Sequence, residues 1–241
     1  MNKTAISWCD YTWNPVTGCK HGCTYCYARK IAERFKGSKA WPVGFEPRFH
    51  QERLSEPRRL GTQWNCPWYL AKGSTIFVCS MADLFGDWVP DSWINEVILA
   101  AKSVTRHTYI FLTKNPERYF KLGGDTLQKD NFWFGTTETG EHRNNPRLET
   151  IKKLPAKHTF VSFEPLLGNP EPLNLAGINQ VIIGAQTNPS IPPPKGSLIN
   201  IIREAKEENI PGFLKNSLDG ISWAGTSHFV NVHELAWELH K

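Results

Sequence analysis

Three of the chain's six cysteines stand within eight residues, in the run Gly18-Cys19-Lys20-His21-Gly22-Cys23-Thr24-Tyr25-Cys26-Tyr27. Random placement of that many cysteines would give the spacing C-x3-C-x2-C in roughly 0.4 per cent of such chains, so chance explains it poorly. Thiolates are soft donors suited to zinc and to iron-sulfur clusters. Three of them can hold three irons of a [4Fe-4S] cube and leave the fourth iron open to a ligand from outside the protein. The rival chemistry is zinc, because Cys-x2-Cys is also a zinc half-knuckle and His21 or Cys9 is at hand as a fourth ligand. Zinc ribbons carry a second Cys pair, however, and Cys66 and Cys79 do not form one. Cys9, Cys66 and Cys79 read as small buried hydrophobes, Cys79 being inside an apolar run.

The elements that must position these thiols follow from periodicity. The segments Thr75 to Cys79, His107 to Leu112, Phe132 to Thr136, His158 to Phe163 and Gln180 to Ile183 are short, apolar and rich in β-branched or aromatic residues, as buried strands are. Between them lie stretches of helical spacing: Asp91 to Val104, a short turn over Asn115 to Phe120, Pro146 to Leu154 and Ser197 to Glu208. With a first strand expected near Ile6 to Asp10 and a helix after the cysteines, the order is βαβα, the signature of a parallel sheet. About six such units suit a partial (β/α)6 barrel, with a doubly wound open sheet as the alternative. In both, function sits at the carboxyl ends of the strands. Polar residues recur there: Ser80, Met81 and Asp83, then Thr113 and Lys114, Thr137 and Glu138, Glu164, and finally Gln186 and Asn188. Their repetition predicts one shared site.

A chain of 241 residues with 40% apolar content is enough for one large α/β domain spanning residues 1–241. No apolar stretch approaches the ~18 residues of a membrane span. The polar opening Met1-Asn2-Lys3-Thr4 lacks the apolar segment of a secretory signal. A cytoplasmic protein with no membrane partner is therefore expected, and its thiols would stay reduced. The net charge of +5 admits nucleic acid or a nucleotide as substrate. Phosphate contacts would then be sought at Arg48, His50, Arg53, Arg58 and Arg59, although charge runs are more often solvated loops.

The cysteine motif, with Tyr25 as the aromatic residue before its last Cys, resembles that of the radical S-adenosylmethionine superfamily. This resemblance implies a partial (β/α)6 TIM-like barrel with its cluster loop at residues 18–27. It implies a [4Fe-4S] cluster on Cys19, Cys23 and Cys26, and S-adenosylmethionine chelated to the open iron through its amino and carboxylate groups. An external donor such as flavodoxin or ferredoxin would supply the electron that cleaves the cofactor to methionine and a 5'-deoxyadenosyl radical. Tyr25 would pack near the adenine. The likeness extends to a family of phage- and bacteria-associated radical-SAM-like proteins through Trp13-Asn14-Pro15-Val16-Thr17-Gly18-Cys19, Arg48-Phe49-His50, Ser80-Met81-Ala82-Asp83-Leu84-Phe85, Leu112-Thr113-Lys114-Asn115-Pro116-Glu117-Arg118 and Ser162-Phe163-Glu164-Pro165-Leu166-Leu167-Gly168. A looser similarity links Cys23-Thr24-Tyr25-Cys26-Tyr27 and Thr113-Lys114 to spore photoproduct lyase, a radical enzyme acting on DNA. It implies that Ser80 and Lys114 contact the cofactor's methionine carboxylate or ribose, and an ammonium at a strand end is apt for a carboxylate. Glu138 is expected at the ribose hydroxyls, and Asp83 and Glu164 complete the expected cofactor-binding set.

The sequence departs from that family twice. A G-G-E-S-G-like turn appears as Gly184-Ala185-Gln186-Thr187-Asn188-Pro189, so Gln186 would replace an acidic contact with a neutral one. An F-F-x-K-Q-like strand appears as Gly212-Phe213-Leu214-Lys215-Asn216, which keeps its polar end. Two other classes stand beside the radical enzyme. One is a zinc protein binding nucleic acid without radical chemistry, and the other is a protein that keeps the cluster but no longer catalyses.

Overall fold

A computed structural model describes residues 1–60, 73–142 and 144–218. Cys66 lies outside the described residues. The strands are β1 (Asn2–Lys3), β2 (Tyr11–Trp13), β3 (Val16–Thr17), β4 (Arg48–Phe49), β5 (Thr75–Val78), β6 (Thr108–Thr113), β7 (Phe132–Glu138), β8 (Thr159–Phe163), β9 (Gln180–Ile183), β10 (Gln186–Thr187), β11 (Ser190–Ile191) and β12 (Gly212–Leu214). The α-helices are α1 (Tyr27–Arg34), α2 (Glu56–Arg59), α3 (Asp91–Lys102), α4 (Gly124–Leu127), α5 (Pro146–Ile151) and α6 (Lys195–Glu207). The expected short turn after Asn115 is a 3-10 helix, Pro116–Lys121.

Eight strands form one sheet in the order β1-β2-β5-β6-β7-β8-β9-β12. Every pair from β2 onward is parallel, and only β1 runs antiparallel, at the edge. The parallel strands follow one another in chain order, with no reversal of the kind that makes a doubly wound sheet. Winding in one direction puts the crossovers on one face. Accordingly Ile94, Val97 and Ile98 of α3, Leu148 of α5 and Ile201 of α6 share a buried cluster with Ile76, Phe111, Phe134, Val161 and Ile183. The alternate residues, Phe77, Ile110, Trp133, Phe160, Ile182 and Phe213, form a second cluster on the other face, as the period of two requires. Among the described residues the sheet is open, ending in β1 on one side and β12 on the other.

The expected strand over Ile6 to Asp10 is not formed. That segment is a turn, with the Cys9 amide bonded to the Ile6 carbonyl at 3.3 Å, and the first central strand is β2. Trp8, with Ile6 and Cys9, instead packs onto the second cluster, covering apolar side chains that the helices do not reach. Asp10 then brings the chain into the sheet, its carboxylate accepting the Thr75 amide at 2.7 Å. No helix of the described residues is long and apolar enough to cross a membrane.

Candidate active site

Two features fix the cysteine loop before any ligand is considered. Gly18 has φ +87, its amide donates to the Met81 carbonyl at 2.9 Å, and a Cβ there would lie 2.2 Å from the Glu46 carbonyl oxygen. Only glycine fits such an approach. At the far end of the loop, Cys26 caps α1, its Sγ accepting the Arg29 amide at 3.4 Å. The Arg29 guanidinium donates to the Cys19 carbonyl at 3.3 Å and lies 5.4 Å from the Phe45 ring centroid, so one residue, through its amide and its side chain, ties both ends of the loop.

Cys19, Cys23 and Cys26 are free thiols, half-buried, and all three line one cavity of about 280 Å³. Burial pushes the Cys19 thiol up to about 11, which keeps it protonated until a metal displaces the proton. Among the described residues no three His, Cys, Asp or Glu side chains converge as the ligands of a single ion do. A cube takes each thiolate on a separate iron and needs a wider triangle. Three unpaired thiols facing one cavity suit that donor set.

On the β5 and β6 side of the cavity the organising group is Asp83. Its Oδ2 meets His21 Nε2 at 2.7 Å and accepts the Lys114 amide at 2.9 Å. Its Oδ1 accepts the Thr113 hydroxyl at 2.7 Å and the Phe85 amide at 3.0 Å. Burial alone would raise this carboxyl, but the hydrogen bonds from His21, Thr113 and Lys114 outweigh it and hold the group below the usual range. The Lys114 ammonium, lowered chiefly by burial, reaches the Tyr25 hydroxyl at 3.1 Å. Tyr25 itself is raised, first by burial and then by the adjacent Cys23, to which it hydrogen-bonds. Cys23 is thus flanked by His21, held by Asp83 beyond β5, and by Tyr25, held by Lys114 at the end of β6. Behind them Asn14 Oδ1 accepts the Ser80 hydroxyl at 3.2 Å and the Met81 amide at 2.9 Å.

On the opposite side, Glu164 Oε1 pairs with Lys215 and Oε2 accepts the Ser162 hydroxyl at 2.9 Å. A Cβ on Gly184 would come within 3.1 Å of both partners, so glycine there lets the pair close. Gln186 and Thr187 line the cavity, and β10 and β11 form a small hairpin beside it. Lys30 of α1 donates to the hairpin's Asn188 carbonyl at 3.0 Å.

Of the residues expected at the site, Tyr25, Ser80, Asp83, Lys114 and Glu164 come together around the cavity with the three cysteines. Glu138 does not. It shares the parity of Phe132 and Phe134, which face the helices, while Thr137 faces the cavity. Its Oε1 accepts the Arg147 and Leu148 amides at 2.8 and 3.0 Å at the start of α5. The period of two along β7 carries that information. The basic stretch divides: His50 is buried against Thr17 at 2.9 Å and the half-buried Arg53 donates to the Asn14 carbonyl at 3.0 Å, whereas Arg48, Arg58 and Arg59 are exposed. Cys79 is buried, as expected, but stands just past β5 with φ 60. Sequence reasoning missed Ile6 and Trp8 as cavity walls, having placed them in a strand.

This fold is similar to solved structures of spore photoproduct lyase. A double mutant of that enzyme, with bound AdoMet and dinucleoside spore photoproduct, aligns with TM-score 0.55 at 12% identity, over 77% of this chain and 58% of that one. A single mutant with dinucleoside spore photoproduct aligns with TM-score 0.54 at 12% identity, with the same coverage. The chain therefore spans a little over half the length of these proteins, and the likeness is one of fold. A model of the family described as "Protein of unknown function (DUF5131)" matches residues 3–222, and the chain belongs to that family. Comparison with curated proteins finds no match.

Proposed function

We propose that this chain is a radical S-adenosylmethionine enzyme. The observation that carries the reading is the placement of three free thiols, C-x3-C-x2-C, on a cavity built from the carboxyl ends of sequentially wound parallel strands. Cys19, Cys23 and Cys26 would hold a [4Fe-4S] cluster, and the open sheet would be the wall of a partial (β/α)6 barrel. Bound there, cluster and cofactor would supply one-electron cleavage of S-adenosylmethionine to methionine and a 5'-deoxyadenosyl radical. The chain's own residues bind and orient. Lys114 offers its ammonium to the cofactor's carboxylate, with Tyr25 beside it. Asp83 is a positioning residue that fixes His21 and the Lys114 backbone. Glu164 and Lys215 present a paired charge to polar groups of the cofactor or substrate, and Ile6, Trp8 and Phe77 keep water from the apolar wall.

A nucleotide or nucleic acid is the proposed substrate class. It is supported by the dinucleoside spore photoproduct bound in the similar structures and by an aromatic wall that suits a base.

The test is metal content. Protein purified without oxygen and reconstituted with iron and sulfide should bind about four irons per chain and turn brown. The Cys19→Ala, Cys23→Ala and Cys26→Ala variants should each lose that colour. Stoichiometric zinc in a colourless protein would replace this reading with a zinc site.

A further inference from the structure

The hairpin of β10 and β11 is the least supported part of the cavity wall. Gln186 and Thr187 line the cavity, yet Thr187 to Pro192 are exposed and each strand is only two residues long. A ladder of two pairs, Gln186 with Ile191 and Thr187 with Ser190, has little stability of its own. The base of the hairpin is fixed on both sides: the Ala185 amide donates to the Ser217 hydroxyl at 3.0 Å, and Pro193 is buried. The tip is not. Gln186 Nε2 donates to the Pro189 carbonyl at 3.1 Å, a bond within the hairpin itself. Among the described residues the tip makes one hydrogen bond to the rest of the chain, from the Lys30 ammonium to the Asn188 carbonyl at 3.0 Å.

We propose that residues 186–192 form a lid on the cavity and that Lys30 is the positioning residue that latches it over bound S-adenosylmethionine. The identity of the ligand rests on the radical reading; the latch does not. Lys30 reaches the lid from a firm support. Its own amide donates to the Cys26 carbonyl at 3.3 Å, one turn back along α1, and the Tyr27 hydroxyl donates to the Ser80 carbonyl at 2.8 Å. Ala28 and Ala32 pack the helix onto Phe45 and the cysteine loop. A fastened helix joined by one bond to a thinly held flap sets the flap at the low-stability end of the fold, where lids are found. The chemistry of the flap fits the role. No residue from 184 to 194 is charged, so Gln186 and Thr187 offer hydrogen bonds that suit the cationic and the anionic groups of the cofactor alike, and closure excludes water without favouring either charge. A lysine bound to a carbonyl at the surface is also weak enough to open for exchange of ligand.

Wild type, Lys30→Met and Lys30→Arg are compared after anaerobic reconstitution, with iron content as the check that the cysteine loop is intact. Lys30 is exposed and outside the cavity lining, so neither change disturbs the core. Two quantities are read: amide hydrogen exchange over residues 186–191, with and without S-adenosylmethionine, and the affinity for S-adenosylmethionine by calorimetry. Without ligand, the Lys30→Met segment should exchange about fivefold faster than wild type. S-adenosylmethionine should protect the segment in wild type far more than in Lys30→Met, and the affinity of that variant should fall by a similar factor. Lys30→Arg, which keeps a cationic donor, should recover most of both effects, and iron content should be equal in all three. Unchanged exchange in Lys30→Met overturns the latch. Faster exchange with unchanged affinity overturns the lid, because the hairpin would then cover nothing that binds. Loss of iron in Lys30→Met, or a defect that Lys30→Arg does not reduce, makes Lys30 a support of α1 and also overturns the proposal. If wild type binds no S-adenosylmethionine, the radical reading fails. Exchange in the three ligand-free proteins then still decides whether Lys30 holds the hairpin.

Discussion

The two sides of the cavity each hold a carboxylate and use it differently. Asp83, on the β5 and β6 side, is 6% exposed and has both oxygens filled by His21, Thr113 and the Lys114 and Phe85 amides. Glu164, on the β8 and β12 side, is 19% exposed and has one partner on each oxygen, Lys215 and Ser162. An ionised carboxylate offers about four acceptor sites. Asp83 has none left for a ligand and serves to hold the cysteine loop to the sheet. Glu164 keeps capacity and solvent access, so it can meet something that enters. A polar residue at a strand end is thus scaffold or contact according to how many of its valences the protein has already taken.

The sharpest break of that contrast is a pair of truncations. Asp83→Ala leaves four donors without their acceptor, three of them on the buried or half-buried ends of β5 and β6, and should cost about 3 to 5 kcal/mol in urea unfolding. Glu164→Ala should cost only about 1 kcal/mol while weakening S-adenosylmethionine binding in calorimetry. Equal costs would erase the distinction.

Acid titration separates the site end of the sheet from its opposite end. There His107 is buried, with Nδ1 accepting the Ser74 amide at 3.2 Å and Nε2 facing the Pro57 carbonyl at 3.0 Å. Burial first, then Arg106, lowers it to about 4. Between about 6.5 and 4 the unfolded chain binds a proton that the folded one refuses, so stability falls as pH is lowered through that window. The slope from this one group is at most about 1.4 kcal/mol per pH unit. Asp83 behaves separately: its depressed carboxyl contributes stability above its ordinary value of 3.8 and loses it only below. His50, also buried and lowered chiefly by burial, adds to the upper loss, so thermal melts across pH should show two steps, and His107→Gln should shrink the upper one and leave the lower unchanged.

Smaller effects test local geometry. Gly184→Ala places a methyl 3.1 Å from Glu164 and Lys215 and should cost about 1 kcal/mol while loosening the ion pair, seen as weaker cofactor binding. Glu138→Gln keeps an acceptor for the α5 amides, so its stability cost should stay near ~1 kcal/mol or below. Because Glu138 faces the helices, deoxyadenosine yield should not change. A loss of yield at normal stability would return Glu138 to the site.

Much of this contrast was legible before the fold. The β-branched and aromatic runs at Thr75, Thr108, Phe132, Thr159 and Gln180 became strands within a residue or two of the expected bounds, since a buried parallel strand leaves an apolar signal that helices do not share. The cysteine loop and the polar strand ends were visible for the same reason: residue type and spacing are local properties. Ile6 and Trp8 misled because apolar content alone cannot distinguish a strand from a turn that covers a sheet. Which strand-end residues face the cavity depended on parity, readable for Glu138 but only once the strand's extent was known. The saturation of Asp83 was not readable at all, because its partners come from residues 21, 85, 113 and 114, which only the folded chain brings together.

The most direct measurement is deoxyadenosine formation by anaerobically reconstituted protein given dithionite and S-adenosylmethionine, beside the Cys26→Ala variant. The account predicts product from the wild type and none from the variant. No product from a fully iron-loaded wild type, or equal product from both, would contradict it.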